Sequence, residues 1–222
     1  MPARPLGASN TTVERYHLHD DFVDENRGDS QDPSLYPEYY PENVSGRLLT
    51  SRERPNWRTI SEGPVYYEGE LRHSHVTNKD GHIATASEQR LGEWSLNWRW
   101  ESADTYGTPD SFEWQLIAPS AQYPTPQWVL QITSHGDIML IRSDRDGNHR
   151  AVCQANFDDL ETMQEISVRR EPTNNWQLRL NGVIQDSTVD PFMPQSGVTT
   201  LCFECHGNSI ATIDSLRIGS PL

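Results

Sequence analysis

Residues 94–100 read Trp-Ser-Leu-Asn-Trp-Arg-Trp, and they alternate without a break: Trp94, Leu96, Trp98 and Trp100 fall on one side, Ser95, Asn97 and Arg99 on the other. A period of two is the mark of a β-strand with one face in a core. The same pattern recurs downstream in Phe112, Trp114 and Leu116, in Trp128, Leu130 and Ile132, in Ile166 and Val168, in Trp176, Leu178 and Leu180, and in Leu201, Phe203 and Cys205. Turn chemistry separates these runs. RSDRDGN (142–148) follows the short apolar run 138–141 and carries an Asp-Gly hairpin signal, and Asn181-Gly182 closes another pair. Upstream, VYYEGELRH (65–73) has a Glu-Gly turn inside it, and NKDG (78–81) is a turn. The last strand, residues 210–218, loses its alternation between Ile213 and Leu216, which predicts a bulge. No segment has a period of 3.6, so the chain reads as all-β, a sandwich or barrel. Trp94, Trp98, Trp114, Trp128 and Trp176 share their faces with Leu and Ile and are expected in the core rather than on a sugar-stacking surface.

The 222 residues suit one large sandwich with a core that needs no staples. Only 34% of the residues are hydrophobic, and mean hydropathy is -0.74, so the seven Trp, eight Tyr and five Phe must supply much of the buried area. Formal net charge is -14, from 32 acidic and 18 basic residues, and Lys79 is the one lysine. This charge argues against nucleic acid and against anionic membrane surfaces as partners. Lysine poverty with an acid excess fits a salt-rich cytoplasm, where high charge maintains solubility, with ordinary codon bias as the plain alternative. No run of 18 apolar residues is present, so no membrane insertion is expected. The first residues lack an apolar stretch and a twin arginine, and the expectation is a chain made in the cytoplasm without a signal peptide. Three cysteines, an odd count, imply no disulfide framework, and Cys153 reads as a small buried apolar residue.

Residues 1–15 read as a tail and 16–222 as the sandwich, beginning with a short strand in YHLHDDFV (16–23). Residues 24–56 differ in kind: they are rich in Pro, Tyr, Asp and Ser and have no period. A stretch of this length in a compact domain is a functional excursion or an arm. Tyr36, Tyr39, Tyr40 and Leu48 are its expected contact residues, holding the chain to other subunits.

At this point the sequence resembles the concanavalin A-like lectin/glucanase superfamily. The resemblance runs through Asp20-Asp21-Phe22, Trp57, Gly63, Val65, Gly69 and Leu71, the strand after Gly92, Trp-x-Leu-x-Ile at 128–132, Ile-x-Val-Arg at 166–169, Trp-x-Leu-x-Leu-Asn-Gly at 176–182, and SIATIDSLRI at 209–218. It implies a jelly-roll sandwich of two antiparallel sheets with an irregular N-terminal arm. The family's glucanases carry a strand with three carboxylates on one face; here Glu93, Glu101 and Glu113 stand apart. The family's lyases carry Gln-Ile-His and Tyr-Lys-Tyr; here Gln131-Ile132 is followed by Thr133, and Lys79 lies in a turn. No catalytic residue is therefore assigned.

The polar sides of the strands present amides, carboxylates and guanidinium groups, which suit sugar hydroxyls. The candidate glycan-binding set is Asn97, Arg99, Glu101, Glu113, Gln115, Gln131 and Arg179, with the solvated sheet face as the plain alternative. Asp144, Asp146 and Asn148 resemble part of a calcium loop but lack the distal Glu, so a hairpin accounts for them. The pairs His17/His19 and His73/His75 are too few for a metal site, and Cys202-Phe-Glu-Cys205-His206 is a chance match to haem attachment, as Arg27-Gly-Asp29 is to an adhesion tripeptide. No metal or cofactor is expected. The expectation is a non-catalytic lectin-like module for glycan recognition or assembly, with subunits of its own kind or virion proteins and a cell-surface glycan as partners. It would sit on a virion or extracellular surface, as a decoration, turret or tail component of a virus with a halophilic host. The alternatives are an atypical glycoside hydrolase or polysaccharide lyase, and a cytoplasmic structural module.

Overall fold

The computed structural model describes residues 89–102, 109–118, 127–144, 146–159, 161–192, 197–204 and 210–219, and short strands at 16–20, 47–48, 58–59, 66–67, 71–74 and 81–87. Numbered along the chain, the strands form two sheets. The first has nine strands in the order β14 (Val183–Val189), β13 (Asn175–Leu180), β12 (Gln164–Arg170), β7 (Gly92–Ser102), β16 (Ile210–Gly219), β5 (Leu71–Ser74), β4 (Tyr66–Tyr67) and β2 (Arg47–Leu48), with β1 (Tyr16–Asp20) also paired to β16. The second has seven: β11 (His149–Asn156), β10 (Asp137–Ser143), β9 (Gln127–Thr133), β8 (Ser111–Ala118), β15 (Gly197–Glu204), β6 (Gly81–Ser87) and β3 (Arg58–Thr59). Neighbouring strands run antiparallel in both. Among the described residues there is no helix.

The expected tryptophans fill the space between the sheets. Trp94, Trp98, Trp100, Trp114, Trp128 and Trp176 are all fully buried. Trp94 and Trp176 of the first sheet stack with centroids 6.2 Å apart, and Trp128 of the second lies on Trp176 at 3.9 Å. Trp98 meets Trp100 edge-on at 5.2 Å and Phe157 edge-on at 5.9 Å. Two indoles satisfy their N–H groups: Trp100 donates to the Thr133 carbonyl at 3.1 Å and Trp114 to Thr199 Oγ1 at 2.7 Å. The Nε1 atoms of Trp94, Trp98, Trp128 and Trp176 are buried without an acceptor.

Two of the predicted turns are present, at 142–148 and 181–182; those at Glu68-Gly69 and in 78–80 lie outside the described residues. At the 142–148 hairpin, Asp144 Oδ1 accepts from the Asp146 and Asn148 amides at 2.9 and 3.0 Å, and Asn148 Nδ2 donates to Oδ2 at 3.2 Å. These bonds hold the Asp144 carboxyl below the usual carboxylate range, the Asn148 side chain being the largest cause. Gly147 takes φ +78, where a side chain would be strained. Asn181 and Gly182 both have positive φ, 50 and 76, as a two-residue hairpin with primed geometry requires. The bulge predicted in the last strand lies between Ile213 and Ser215.

Besides β2, four strands lie where the sequence pattern predicts none: β3, β6, β11 and β14. In β11 and β14 most side chains are exposed, so no apolar alternation marks them. Arg47–Leu48, within the expected arm, instead joins the nine-stranded sheet against Tyr66–Tyr67; two residues are too few to show a period. In β1, the strand of His17 and His19, a bulge between Tyr16 and Leu18 interrupts the alternation.

Candidate functional site

The seven-stranded sheet has an outer face defined by what its strands bury. Phe112 and Trp114 of β8, and Trp128, Leu130 and Ile132 of β9, are in the core, so Glu113 and Gln115 on β8 and Gln131 on β9 face outward. Glu113 and Gln131 are register partners, and Gln131 Nε2 donates to Glu113 Oε1 at 2.9 Å. The bond fixes both half-buried groups. The same register row continues to Met139 and Gln154 on one side, and to Cys202 and His82 on the other. In the adjacent row, Gln115 lies opposite Val129, and beyond it is Ile141. Gln115 is 3% exposed, and its Oε1 is buried without a hydrogen-bond partner. At the end of this face, Ser143 Oγ lies 2.8 Å from His149 Nδ1. Ser143 is only 3% exposed, so its hydroxyl anchors the hairpin rather than meeting a substrate.

The structure divides the candidate residues between two faces. Glu113, Gln115 and Gln131 belong to the face just described. Asn97, Arg99 and Arg179 lie on the outer face of the nine-stranded sheet, because Trp94, Leu96, Trp98 and Trp100 take the inner side of β7, and Arg179 pairs through Ser167 with Ser95. Asn97 Nδ2 donates to Ser215 Oγ at 3.1 Å and to Asp214 Oδ2 at 3.5 Å. Arg179 donates through Nε and Nη2 to Gln177 Oε1 at 3.2 and 2.6 Å. Glu101 lies at the end of β7. The arm residues Tyr36, Tyr39 and Tyr40 lie outside the described residues, and Leu48 is in β2. Alternation tells which side of a strand a residue occupies; it does not tell which sheet the strand joins, and that information separates the two groups.

Sequence reasoning missed the apolar half of the seven-stranded face, Met139 and Ile141, because a continuous short apolar run at 138–141 does not tell which of its residues face outward. It also missed a buried ionic cluster at the edge of the sandwich. Asp190 Oδ1 accepts from Arg142 Nη1 at 3.0 Å and from the Phe192 amide at 2.9 Å. Arg170, fully buried, donates to the Arg90 carbonyl at 2.8 Å and to Asn174 Oδ1 at 2.7 Å, and lies over the Trp176 ring at 5.4 Å. Burial lowers the Arg170 pKa, against the nearby Asp190 charge, which raises it. These groups brace the core and do not line either face. Among the described residues no group of three or more His, Cys, Asp or Glu side chains is arranged to hold a metal.

No family model and no curated protein sequence matches the chain. Solved structures do. The chain is similar to a Bacillus licheniformis beta-glucanase, with 13% identity and a TM-score of 0.57 over 81% of this chain and 95% of that one. The Emp46p carbohydrate recognition domain has 11% identity and a TM-score of 0.61 over 81% and 94%. The carbohydrate binding module CBM66 from Bacillus subtilis has 8% identity and a TM-score of 0.51 over 71% and 91%. At such identities the likeness concerns architecture, and the two antiparallel sheets and their neighbours make the fold a concanavalin A-like jelly-roll sandwich.

Proposed function

We propose that the chain recognises carbohydrate without cleaving it, and that the outer face of the seven-stranded sheet is the binding surface. The observation that carries this reading is the Glu113–Gln131 pair: a carboxylate and a carboxamide locked together at 2.9 Å in the middle of a sheet face. Fixed planar acceptors and donors suit the paired hydroxyls of a sugar ring, with little ordering cost on binding. Met139 and Ile141, half-buried beside them, offer apolar contact for the ring's C–H face. Two of the similar structures are named as a carbohydrate recognition domain and a carbohydrate binding module, which agrees with this reading.

The non-catalytic part rests on the outward positions of β8. They are Ser111, Glu113 and Gln115, a single carboxylate, whereas glycoside hydrolysis uses a pair. A second reading has one observation in its favour: Glu204 on β15 is the register partner of Ser111, one diagonal step from Glu113. An atypical hydrolase would place its acid and nucleophile on those two strands, as one of the similar structures, a beta-glucanase, acts by name on glucan.

Binding of the full chain to a glycan array, followed by titration of the best ligand, tests the proposal. Glu113→Gln and Gln131→Ala are expected to weaken that ligand by about tenfold, the worth of one charge-assisted hydrogen bond. No reducing ends should appear on prolonged incubation with the ligand. Release of reducing sugar that is abolished by Glu113→Gln and by Glu204→Gln would replace recognition with hydrolysis. An array without any bound glycan would remove both readings.

A further inference from the structure

The opposite face of the sandwich has a different chemistry. On the nine-stranded sheet, Arg179, Ser167, Ser95 and Arg217 form one register row across β13, β12, β7 and β16. Arg169 follows Ser167 by two residues on the same side of β12, so it is the diagonal neighbour of Arg179. Ser167 is 1% exposed and small, leaving a low floor between longer side chains.

We propose that this face binds an acidic polysaccharide, whose carboxylate or sulfate groups lie between Arg169 and Arg179 above Ser167. Two like charges on adjacent strands repel one another, and a chain with 32 acidic residues has ample means to neutralise them. Yet among the described residues neither Arg169 nor Arg179 makes an ion pair, although Glu93 is the register partner of Arg169. Arg169 Nε is buried without an acceptor. Arg179 is held flat by a neutral group, Gln177, which in turn donates to Glu171 Oε1 at 3.2 Å. The acidic side chains described on or beside this face, Glu93, Glu165, Glu171 and Asp214, form no ion pair with the two guanidinium groups, and a planar fork matches carboxylate and sulfate in paired hydrogen bonds.

The kind of partner follows from what the face lacks. No described outward side chain of β7, β12, β13 or β16 is apolar, so the surface has no hydrophobic centre for a protein interface. Nucleic acid carries about one charge per 1.7 Å of duplex and needs many neutralising contacts, which a net charge of -14 opposes. A chain of polar rings with spaced anions meets the half-buried Ser95 hydroxyl and the two arginines alike. This surface is independent of Glu113 and Gln131, from which the sandwich core separates it.

The test uses the full chain and two defined probes, heparin and polygalacturonate, with dextran, poly-glutamate and a single-stranded oligonucleotide as comparators. At low salt the chain should bind at least one of the two acidic polysaccharides in preference to dextran, and added salt should weaken the complex. Arg169→Gln combined with Arg179→Gln should lower affinity about tenfold or more, the loss of one or two charge-assisted hydrogen bonds. Arg217→Gln, on another strand, provides a second variant should the double variant melt early, and Arg150→Gln, exposed on the other sheet, should change nothing. Absence of binding to both polysaccharides, equal affinity in the double variant with an unchanged melting temperature, or tighter binding of poly-glutamate or the oligonucleotide would overturn the proposal.

Discussion

Replacing Trp98 by alanine and, separately, by phenylalanine distinguishes the ring's packing from the burden of its N–H group. Trp98 is fully buried and packs against Trp100, Phe112 and Phe157, with centroids 5.2, 6.5 and 5.9 Å away. Truncation to alanine removes all of these contacts and leaves a large void, at a cost of about 3–5 kcal/mol. Phenylalanine keeps much of the aromatic contact. It also removes an Nε1 donor that has no acceptor, and a buried unsatisfied donor costs about 1–3 kcal/mol. The two effects oppose one another, so Trp98→Phe should lie within about 1 kcal/mol of the parent. Trp100→Phe is the matched comparison, since that indole donates to the Thr133 carbonyl at 3.1 Å and the substitution loses a made hydrogen bond. Its cost should exceed that of Trp98→Phe by about 1 kcal/mol or more. Urea denaturation and calorimetry measure both differences. Equal costs for the two phenylalanine variants, or a cost for Trp98→Ala below about 2 kcal/mol, would refute the reasoning.

Chelators should leave the melting temperature unchanged, because the Asp144 carboxylate is committed to Asp146 and Asn148; a fall with EDTA that calcium restores would contradict this. Since the folded-state pKa of Asp144 is lowered, its contribution to the hairpin is complete above the ordinary carboxylate range and disappears as pH falls through the lower folded value; protection of the Asp146 and Asn148 amides, taken relative to their intrinsic exchange rates, should be lost only below the ordinary carboxylate range. Burial, together with the Asp186 charge, pushes the Cys153 thiol up to about 11, so in a Cys202→Ser, Cys205→Ser chain a maleimide at neutral pH should label Cys153 only after denaturant is added. Asp190→Ala strands Arg142 and the Phe192 amide, and because the Arg142 side chain is 21% exposed the loss should fall somewhat below the ~3–5 kcal/mol of a fully buried pair, as read by urea denaturation.

The large strands were legible because their inner sides carry tryptophan. Trp94, Leu96, Trp98 and Trp100 declare a period of two that no polar substitution interrupts, and the structure buries all four. Strands β11 and β14 stay hidden for the opposite reason: they are edge strands, and residues such as Val183 and Val189 are apolar yet exposed, at 63% and 64%. The site was half legible. Residue types that suit sugars could be picked from strand faces, but Asn97, Arg99 and Arg179 share a strand side with one another and not with Glu113, Gln115 and Gln131. Contacts such as Gln131 to Glu113 join residues far apart in sequence, and only register supplies them. Gln115 was expected to be open to a ligand and is instead buried, next to a bulge between Gln115 and Ile117 that alternation alone does not reveal.

Stacked indoles are coupled chromophores. With Trp128 on Trp176 at 3.9 Å and Trp94 beyond them at 6.2 Å, their electronic transitions mix, and the folded chain should show a paired positive and negative band in circular dichroism superimposed on the weak signal of its sheets. A secondary-structure estimate from such a spectrum would misjudge the strand content of this protein. Excitation energy would also pass among the three rings before emission, so fluorescence anisotropy would be low in the folded state despite a rigid core. The share of both signals that comes from the Trp128–Trp176 stack is lost when the sheets separate, since Trp128 comes from one sheet and Trp94 and Trp176 from the other. The sandwich therefore has an optical readout of its own closure.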